Sequence, residues 1–228
     1  GAAARPARDR GGYCKGYKFF ELMQNINRLS IYYWTEVDLI MKMGTHEAME
    51  MHEVLSESIC MIDHYAMYLS QCRDPELRRI LERQQRHMID AYNTKVNVMQ
   101  GQGIDVSRAP RLTMGAGAGM GMEHHPDYGM QQTSPVTPRP EARSLDDRTI
   151  AKGALMFHKC GAVHSTNAAL ECANPQLRNL LATSARSCME MAYEIFQYIN
   201  HKGWYQVPVM PEHTLSQMQQ AYQPMIGH

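Results

Sequence analysis

The sequence LSQCRDPELRRIL at residues 69–81 recurs in similar form as ALECANPQLRNLL at residues 169–181. The cysteine and the proline of the second copy each lie 100 residues after those of the first. Asp74 and Asn174 offer a short side-chain oxygen that can cap a helix, and proline follows at the first helical position, where its missing N–H costs nothing. Each copy therefore predicts the turn of a helix hairpin.

Apolar residues recur at helical spacing after both prolines. Gly103 and Gly203 then predict the ends of the two helices, again 100 residues apart. The predicted core residues are Leu77, Leu81, Met88, Ala91 and Val98 in the first copy and Leu177, Leu181, Cys188, Met191, Ile195 and Tyr198 in the second.

A further helix precedes each turn. Thr45 is the predicted cap of the first of these helices and Ser144 of the second, with acidic residues in both opening turns. The predicted core stripe of the first is Met51, Leu55, Ile59, Ile62, Ala66 and Leu69, and the thinner stripe of the second is Ala151, Leu155, Ala162 and Ala169. The repeated unit is therefore a helix hairpin.

One hairpin cannot bury its apolar face well, whereas two can form a four-helix bundle. The linker is rich in Gly, Pro and Met and is expected to be loop or partly disordered, yet it can span the length of a bundle. We predict an all-α, ferritin-like four-helix bundle made of two repeated hairpins joined by a long crossover. An exchange of hairpins between neighbouring subunits is the alternative. The predicted segments are 1–43 (N-terminal tail and aromatic arm), 44–103 (first hairpin), 104–143 (crossover linker), 144–205 (second hairpin) and 206–228 (C-terminal tail).

The N-terminal arm at residues 17–43 fits either a helix or a strand. It is expected to cover the bundle or to pack on another subunit, because its aromatic cluster is too apolar to remain exposed. The cluster consists of Phe19, Phe20, Tyr32, Tyr33 and Trp34.

The composition excludes several classes of protein. The chain has 228 residues with 23 Lys and Arg against 23 Asp and Glu, so no net charge favours nucleic acid or an acidic membrane. No apolar run approaches the roughly 20 residues of a membrane span. Six cysteines without a Cys-x-x-Cys motif do not indicate a disulfide scaffold or a thioredoxin-like site.

The second hairpin carries a family resemblance. The stretches STNAALECANPQLRNLL (165–181) and CMEMAYEIFQYINHKGWY (188–205) resemble the coat F domain of bacterial endospore coat proteins. The stretch GTHEAMEMHEVL (44–55) is similar to the start of the divergent first repeat of that family. The resemblance covers both hairpins, about half of the chain, and implies a ferritin-like bundle in a structural protein of the spore coat, made in the mother cell cytoplasm. It implies no catalytic motif.

A ferritin-like fold raises the question of a di-iron centre, which needs two inward Glu and two Glu-x-x-His pairs. No Glu-x-x-His occurs in the chain, and the third helix has no acid between Asp147 and Glu171. The first helix contains HEAME at residues 46–50, which lacks the second histidine of a zinc protease motif. We interpret its acidic residues as a solvated face.

Cys60–His64 and Cys160–His164 repeat at the same offset, each pair at i, i+4. Four such ligands could bind zinc, but the predicted stripe directs both pairs outward, so we expect a surface or interface pair. A zinc site between subunits is the alternative. The pair His124–His125 in the linker is weak evidence for a soft metal.

The sequence therefore predicts a non-enzymatic, self-assembling spore coat protein, with no catalytic, cofactor-binding or metal-binding residues. Its expected partners are copies of itself and other spore coat proteins. The alternative is a ferritin-like metal-handling or redox protein. The full-length crossover separates the turns at Cys72 and Cys172, so no disulfide is expected between them within one chain.

Overall fold

The computed structural model describes residues 43–101, 109–110, 125–132 and 135–225. Within these ranges the chain forms α-helices and no strand, which confirms the all-α fold class. The helices are α1 (Thr45–Gln71), α2 (Pro75–Met99), α3 (Asp147–Leu170), α4 (Pro175–His201) and α5 (Glu212–Gln220). The first four form the predicted pair of hairpins.

Both hairpin turns are capped as the repeated phrase predicts. The Asp74 carboxylate accepts the backbone N–H groups of Glu76 and Leu77 at 2.8 and 3.0 Å. The Asn174 side chain accepts the N–H groups of Gln176 and Leu177 at 2.9 and 3.2 Å. Two orphan donors are thus satisfied at the start of α2 and of α4.

The predicted caps of α1 and α3 are wrong by one or two residues. Gly44 precedes α1, and the Glu47 carboxylate accepts the Gly44 N–H at 2.6 Å, so the acid at the third helical position replaces the hydroxyl of Thr45. Asp146, and not Ser144, caps α3 and accepts the Thr149 N–H at 2.8 Å. A carboxylate is the stronger acceptor at a helix N-terminus.

The predicted helix ends hold for only one hairpin. α4 ends just before Gly203, which adopts a φ of 69°. α2 ends at Met99, and Gly101 adopts the left-handed conformation there with a φ of 72°. Gly103, the predicted end of α2, lies outside the described residues. The offset of 100 residues is therefore lost at the C-terminal ends, where glycine tolerates positive φ at either position.

The helix directions follow from contacts between the hairpins. The Glu47 carboxylate in the first turn of α1 accepts the Asn174 N–H of the second turn at 2.6 Å. The Arg73 N–H, just after α1, donates to the carboxylate of Asp147 in the first turn of α3 at 2.8 Å. α1 and α3 are therefore antiparallel, and each hairpin turn is bound by the opening carboxylate of the other hairpin.

α2 and α4 are antiparallel as well, since Lys202 after α4 donates to Asp74 before α2 at 3.0 Å. α1 and α4 thus point one way and α2 and α3 the other, so the connection from α2 to α3 must return along the bundle. The two hairpins pack on each other within one chain, and the exchanged arrangement is not what the structure shows. The ferritin-like assignment stays a prediction.

The core stripe predicted for α1 is right at the buried Met51, but its other five residues are displaced by about a quarter of a turn, at about 100° per residue. Leu55, Ile62 and Leu69 are only half-buried, and Ile59 and Ala66 are exposed. Leu55, Ile62 and Leu69 lie at the edge of the buried face of α1, because Tyr65 and Tyr68 occupy the centre of that face. The buried residues of this face are Met51, Val54, Met61, Tyr65 and Tyr68.

The stripe of α3 is thin because it receives these large side chains. The positions 100 residues later are Ala151, Ala154, Gly161, Ser165 and Ala168, and all are buried. A Cβ on the neighbouring Gly153 would lie 2.4 Å from the Tyr68 hydroxyl oxygen. Large residues on α1 therefore fit against small residues on α3, and α3 packs closely on α4.

The crossover and the C-terminal segment meet at the end of α4. The Asn200 side chain accepts the Asp127 N–H at 2.7 Å and donates to the Tyr205 carbonyl at 2.8 Å. Gly129 donates to the Val207 carbonyl at 2.9 Å. The described crossover residues contain no helix, as predicted, whereas the C-terminal tail contains the helix α5, which was not predicted from the sequence.

The predicted arm lies outside the described residues, apart from Met43. The aromatic cluster at residues 19–34 is therefore not described. His124 is also outside the described ranges, and His125 is exposed.

Candidate functional site

The four long helices each contribute one side chain to a polar centre of the bundle. These side chains are Tyr65 from α1, Gln84 from α2, His158 from α3 and Glu194 from α4. Tyr65, Gln84 and His158 are fully buried. The Tyr65 hydroxyl donates to Gln84 Oε1 at 2.7 Å, and His158 Nε2 lies 3.0 Å from the same oxygen. His158 Nε2 is also within hydrogen-bonding distance of the Tyr65 hydroxyl.

The hydrogen bonds assign the protons in this centre. Gln84 Nε2 donates to Glu194 Oε2 at 2.8 Å and to the Met191 carbonyl at 3.2 Å, so Gln84 Oε1 must be the acceptor. His158 therefore carries its proton on Nε2, and its buried Nδ1 has no partner among the described residues. Burial lowers the pKa of His158 to about 3, so the imidazole is neutral. Glu194 is paired with Arg83.

A cavity of about 40 Å³ adjoins the polar centre between the four helices. Its polar lining includes Lys95, His87, Cys188 and Glu57. Lys95 is buried, and its ammonium lies within electrostatic range of Cys188 and Glu57. Burial lowers the pKa of Lys95 and of His87. The buried Nε2 of His87 also has no partner among the described residues.

The chemistry of this cavity suits ordered water better than a reaction. Its volume exceeds the roughly 10–15 Å³ that one water needs, and its unpartnered polar groups can bond to water. Burial raises the pKa of Cys188 to about 11, so the thiol stays protonated near neutral pH and is a poor nucleophile. Glu57 is engaged with His164, whose Nδ1 lies 2.7 Å from Glu57 Oε2.

The residues around the cavity do not fit a di-iron centre. Gln84 and His87 on α2, and Ser184 and Ser187 on α4, have the i, i+3 spacing of the Glu-x-x-His pairs that such centres use. Amide and hydroxyl groups stand where carboxylates are needed, and the Lys95 ammonium adds a positive charge. Among the described residues, no group of three or more His, Cys, Asp and Glu is placed to hold a metal ion.

The four residues of the possible zinc site do not converge within one chain. His64 Nδ1 lies 2.7 Å from the carbonyl oxygen of Cys60 and 3.5 Å from its sulfur, so the pair is closed on its own helical turn. The His64 ring also packs on Phe157, with 5.0 Å between ring centroids. His164 is bound to Glu57, as above. Cys60 and Cys160 are exposed, and zinc between subunits stays a prediction.

The polar centre was missed by the sequence analysis. One signal was present, because Gln84 lies between Leu81 and Met88 on the apolar stripe of α2, where an uncharged polar residue needs a buried partner. The identity of that partner depends on residues 65, 158 and 194, which only the tertiary fold brings together.

The described residues therefore form an all-α bundle of two hairpins around a buried polar centre. A family model for the Coat F domain matches residues 146–208. The chain is 33% identical over 184 residues to the spore coat protein F-like protein YhcQ of Bacillus subtilis (strain 168), which covers 81% of this chain and 82% of that protein. The chain belongs to the spore coat protein F family.

A solved structure supports the fold. The crystal structure of a candidate spore coat protein from Bacillus halodurans C-125 superposes with a TM-score of 0.55, covering 75% of this chain and 96% of that chain at 13% identity. The family resemblance predicted from the sequence is thus confirmed, and membership of the family supports a role in the spore coat. None of the described helices is both long and apolar enough to cross a membrane.

Proposed function

We propose that this chain is a non-enzymatic structural protein of the endospore coat that assembles with copies of itself and with other coat proteins. It is made in the mother cell and deposited on the forming spore. Family membership supports the coat role. The observation that supports self-assembly is the exposure of the C-terminal helix α5.

α5 is a helix of nine residues, and none of them is buried. Leu215 is 42% exposed and Met218 is 54% exposed, and Tyr222 beyond the helix is more exposed still. A helix shorter than about 12 residues is marginal in water unless tertiary packing covers its apolar face. The segment is therefore suited to pack on a neighbouring chain, where its apolar side chains would leave water.

The test compares negative charge added at the apolar positions of α5 with the same charge added at its polar positions. In Leu215→Glu with Met218→Glu, the apolar positions become charged, and light scattering should show that large assemblies are lost. The matched control is Gln217→Glu with Gln219→Glu, which adds the same charge at polar positions and should leave assembly intact. Equal assembly by both variants would refute the role of α5.

The N-terminal arm gives a second test. Deleting residues 1–43 should abolish assembly and leave the helical circular dichroism of the bundle, because the hairpins supply the core. Assembly that survives this deletion would remove the arm from the proposal. Metal analysis separates the proposal from a ferritin-like metal-handling or redox protein: stoichiometric iron, manganese or zinc in purified protein would contradict the purely structural role.

A further inference from the structure

We propose that the cavity between the four long helices binds one small monovalent anion, such as chloride or nitrate, beside the ammonium group of Lys95. This site goes beyond the proposed coat function and does not depend on it. The cavity, called here the Lys95 cavity, has a volume of about 40 Å³ and is lined by residues of α1, α2, α3 and α4.

The lining of the Lys95 cavity is rich in hydrogen-bond donors. The Lys95 ammonium has three N–H donors and no acceptor. The Nε2 atom of His87 is buried without a hydrogen-bond partner among the described residues, and an imidazole can donate from this nitrogen. Hydroxyl groups are contributed by Ser165 of α3 and by Ser184 and Ser187 of α4. An anion only accepts hydrogen bonds, so it complements this lining.

The polar groups of the Lys95 cavity lie inside the bundle. Lys95 is 5% exposed, and Ser165 and Ser187 are each 4% exposed. Burial lowers the pKa of Lys95, because the charged form of a lysine loses its hydration in the interior. Such a cost falls when a counter-charge with good hydrogen bonds lies next to the ion. A bound anion would therefore stabilise the ammonium form of Lys95.

The other titratable groups of the lining leave the interior of the cavity positive. Burial raises the pKa of Cys188 to about 11, so this thiol is neutral near pH 7. Glu57 Oε2 lies 2.7 Å from His164 Nδ1, and these side chains are 25% and 33% exposed. The Glu57–His164 pair therefore lies towards solvent, whereas the Lys95 side chain is enclosed. The acid partly offsets the charge of Lys95 from the edge and leaves the enclosed space to the cation.

The size of the cavity restricts the ion. A volume of about 40 Å³ has room for about three waters. A halide or nitrate ion fits this space, and water can fill the remainder, whereas a large organic anion such as gluconate cannot enter. One buried ammonium balances one negative charge, which favours a monovalent ion. The apolar part of the lining includes Met61, Met88 and Met191, whose flexible side chains can adjust to ions of different size.

The first experiment compares the stability of the full chain in two salts. Urea unfolding is measured at pH 7 in potassium chloride and in potassium gluconate of equal ionic strength. At a chloride concentration ten times the dissociation constant, the equilibrium constant for unfolding should be about elevenfold lower than in gluconate. Lys95→Met should abolish this difference. The matched control is Lys152→Met, at an exposed position of α3, which should keep it.

The comparison of variants separates the site from general effects of salt. Such effects act on all three chains, so the difference between Lys95→Met and Lys152→Met reports the Lys95 cavity. In gluconate, Lys95→Met should be more stable than the parent chain, because the parent buries an ammonium without an anion. Chloride should reduce this advantage, because it stabilises the parent alone.

The second experiment observes the ion directly. Chlorine-35 NMR of the full chain should show a chloride signal that is broadened by exchange with the cavity, and added nitrate should narrow the signal by displacing chloride. The broadening should disappear in Lys95→Met and persist in Lys152→Met.

Three outcomes would overturn the inference. An equal response of the parent chain and Lys95→Met to chloride would mean that the cavity holds water only. Broadening of the chloride signal that persists in Lys95→Met would place the ion at another site. Loss of the chloride response in Lys152→Met would mean that the response comes from surface charge. None of these results bears on assembly, so the proposed function stands or falls separately.

Discussion

His158 should make the stability of this protein fall between pH 7 and pH 5. Burial holds its pKa at about 3 in the folded chain, against about 6.5 in the unfolded chain. Because the folded pKa is lower, the unfolded state binds the proton first as the pH falls. The contribution of His158 is therefore fully present above pH 6.5 and is lost progressively below it, towards pH 3.

The size of the effect follows from the two pKa values. Each pH unit below 6.5 removes about 1.4 kcal/mol, so the free energy of unfolding should fall by about 2 kcal/mol between pH 7 and pH 5 on account of this residue. His158→Gln keeps an amide N–H donor for the Tyr65 and Gln84 oxygens and cannot titrate. The variant should be less stable at pH 7, through imperfect packing, but its stability should decline less steeply with acid.

The assay is urea unfolding followed by circular dichroism at pH 7.0, 6.0 and 5.0. Aspartate and glutamate of the unfolded chain ionise mostly below this range, so Glu47, Asp74 and Asp146, whose pKa values in the folded chain are lowered by hydrogen bonds, contribute little. The exposed His52 supplies the matched control as His52→Gln, which should follow the parent chain. An identical pH dependence in His158→Gln and the parent would refute the neutral, buried state of His158.

Three further predictions concern packing and topology. Lys95→Met should raise the free energy of unfolding by about 1–3 kcal/mol, seen as a higher melting temperature, because it removes a buried side chain whose charged form burial disfavours; a lower melting temperature would show that the ammonium is compensated. Gly153→Ala should lower stability by about 1–3 kcal/mol in the same assay, since its Cβ would lie 2.4 Å from the Tyr68 hydroxyl, although alanine normally favours a helix. Oxidised protein should contain no Cys72–Cys172 bridge on peptide mapping, because the two turns lie at opposite ends of a helix roughly 40 Å long, and such a bridge would contradict the helix directions.

The hairpin turns could be predicted because a few neighbouring residues decide them. Asp74 and Asn174 bond to N–H groups two and three residues ahead, and the proline that follows is compatible with only a few backbone conformations. The opening turns of α1 and α3 were harder to predict, because their acidic side chains bind the local backbone and also the turn of the other hairpin. Glu47 binds both Gly44 and the distant Asn174, and no local pattern reports the second contact.

The orientation of α1 and the polar centre depend on the tertiary fold. The periodicity of α1 predicts a wide apolar surface, and it does not show that Tyr65 and Tyr68 are more deeply buried than Leu55 and Ile62. The tyrosines are inside because α3 offers small residues opposite them and because Gln84 Oε1 accepts a hydrogen bond from the Tyr65 hydroxyl. The pattern of a single sequence describes each helix by itself, whereas the residues of α1 that become buried are determined by its packing on the other helices.

The two hairpins are alike in their turns and differ in their interior residues. The opening carboxylates and the capped turns keep the twofold relation, since Glu47 and Asp147 each bind the turn of the opposite hairpin. The interior does not keep this relation: Met61 on α1 has Gly161 as its equivalent on α3, and the equivalent contacts Glu57–His164 and His64–Phe157 are polar in one place and aromatic in the other. Two copies of the second hairpin would oppose small residues with small residues and leave a void, while two copies of the first would collide. The chain therefore needs both hairpins to close its core.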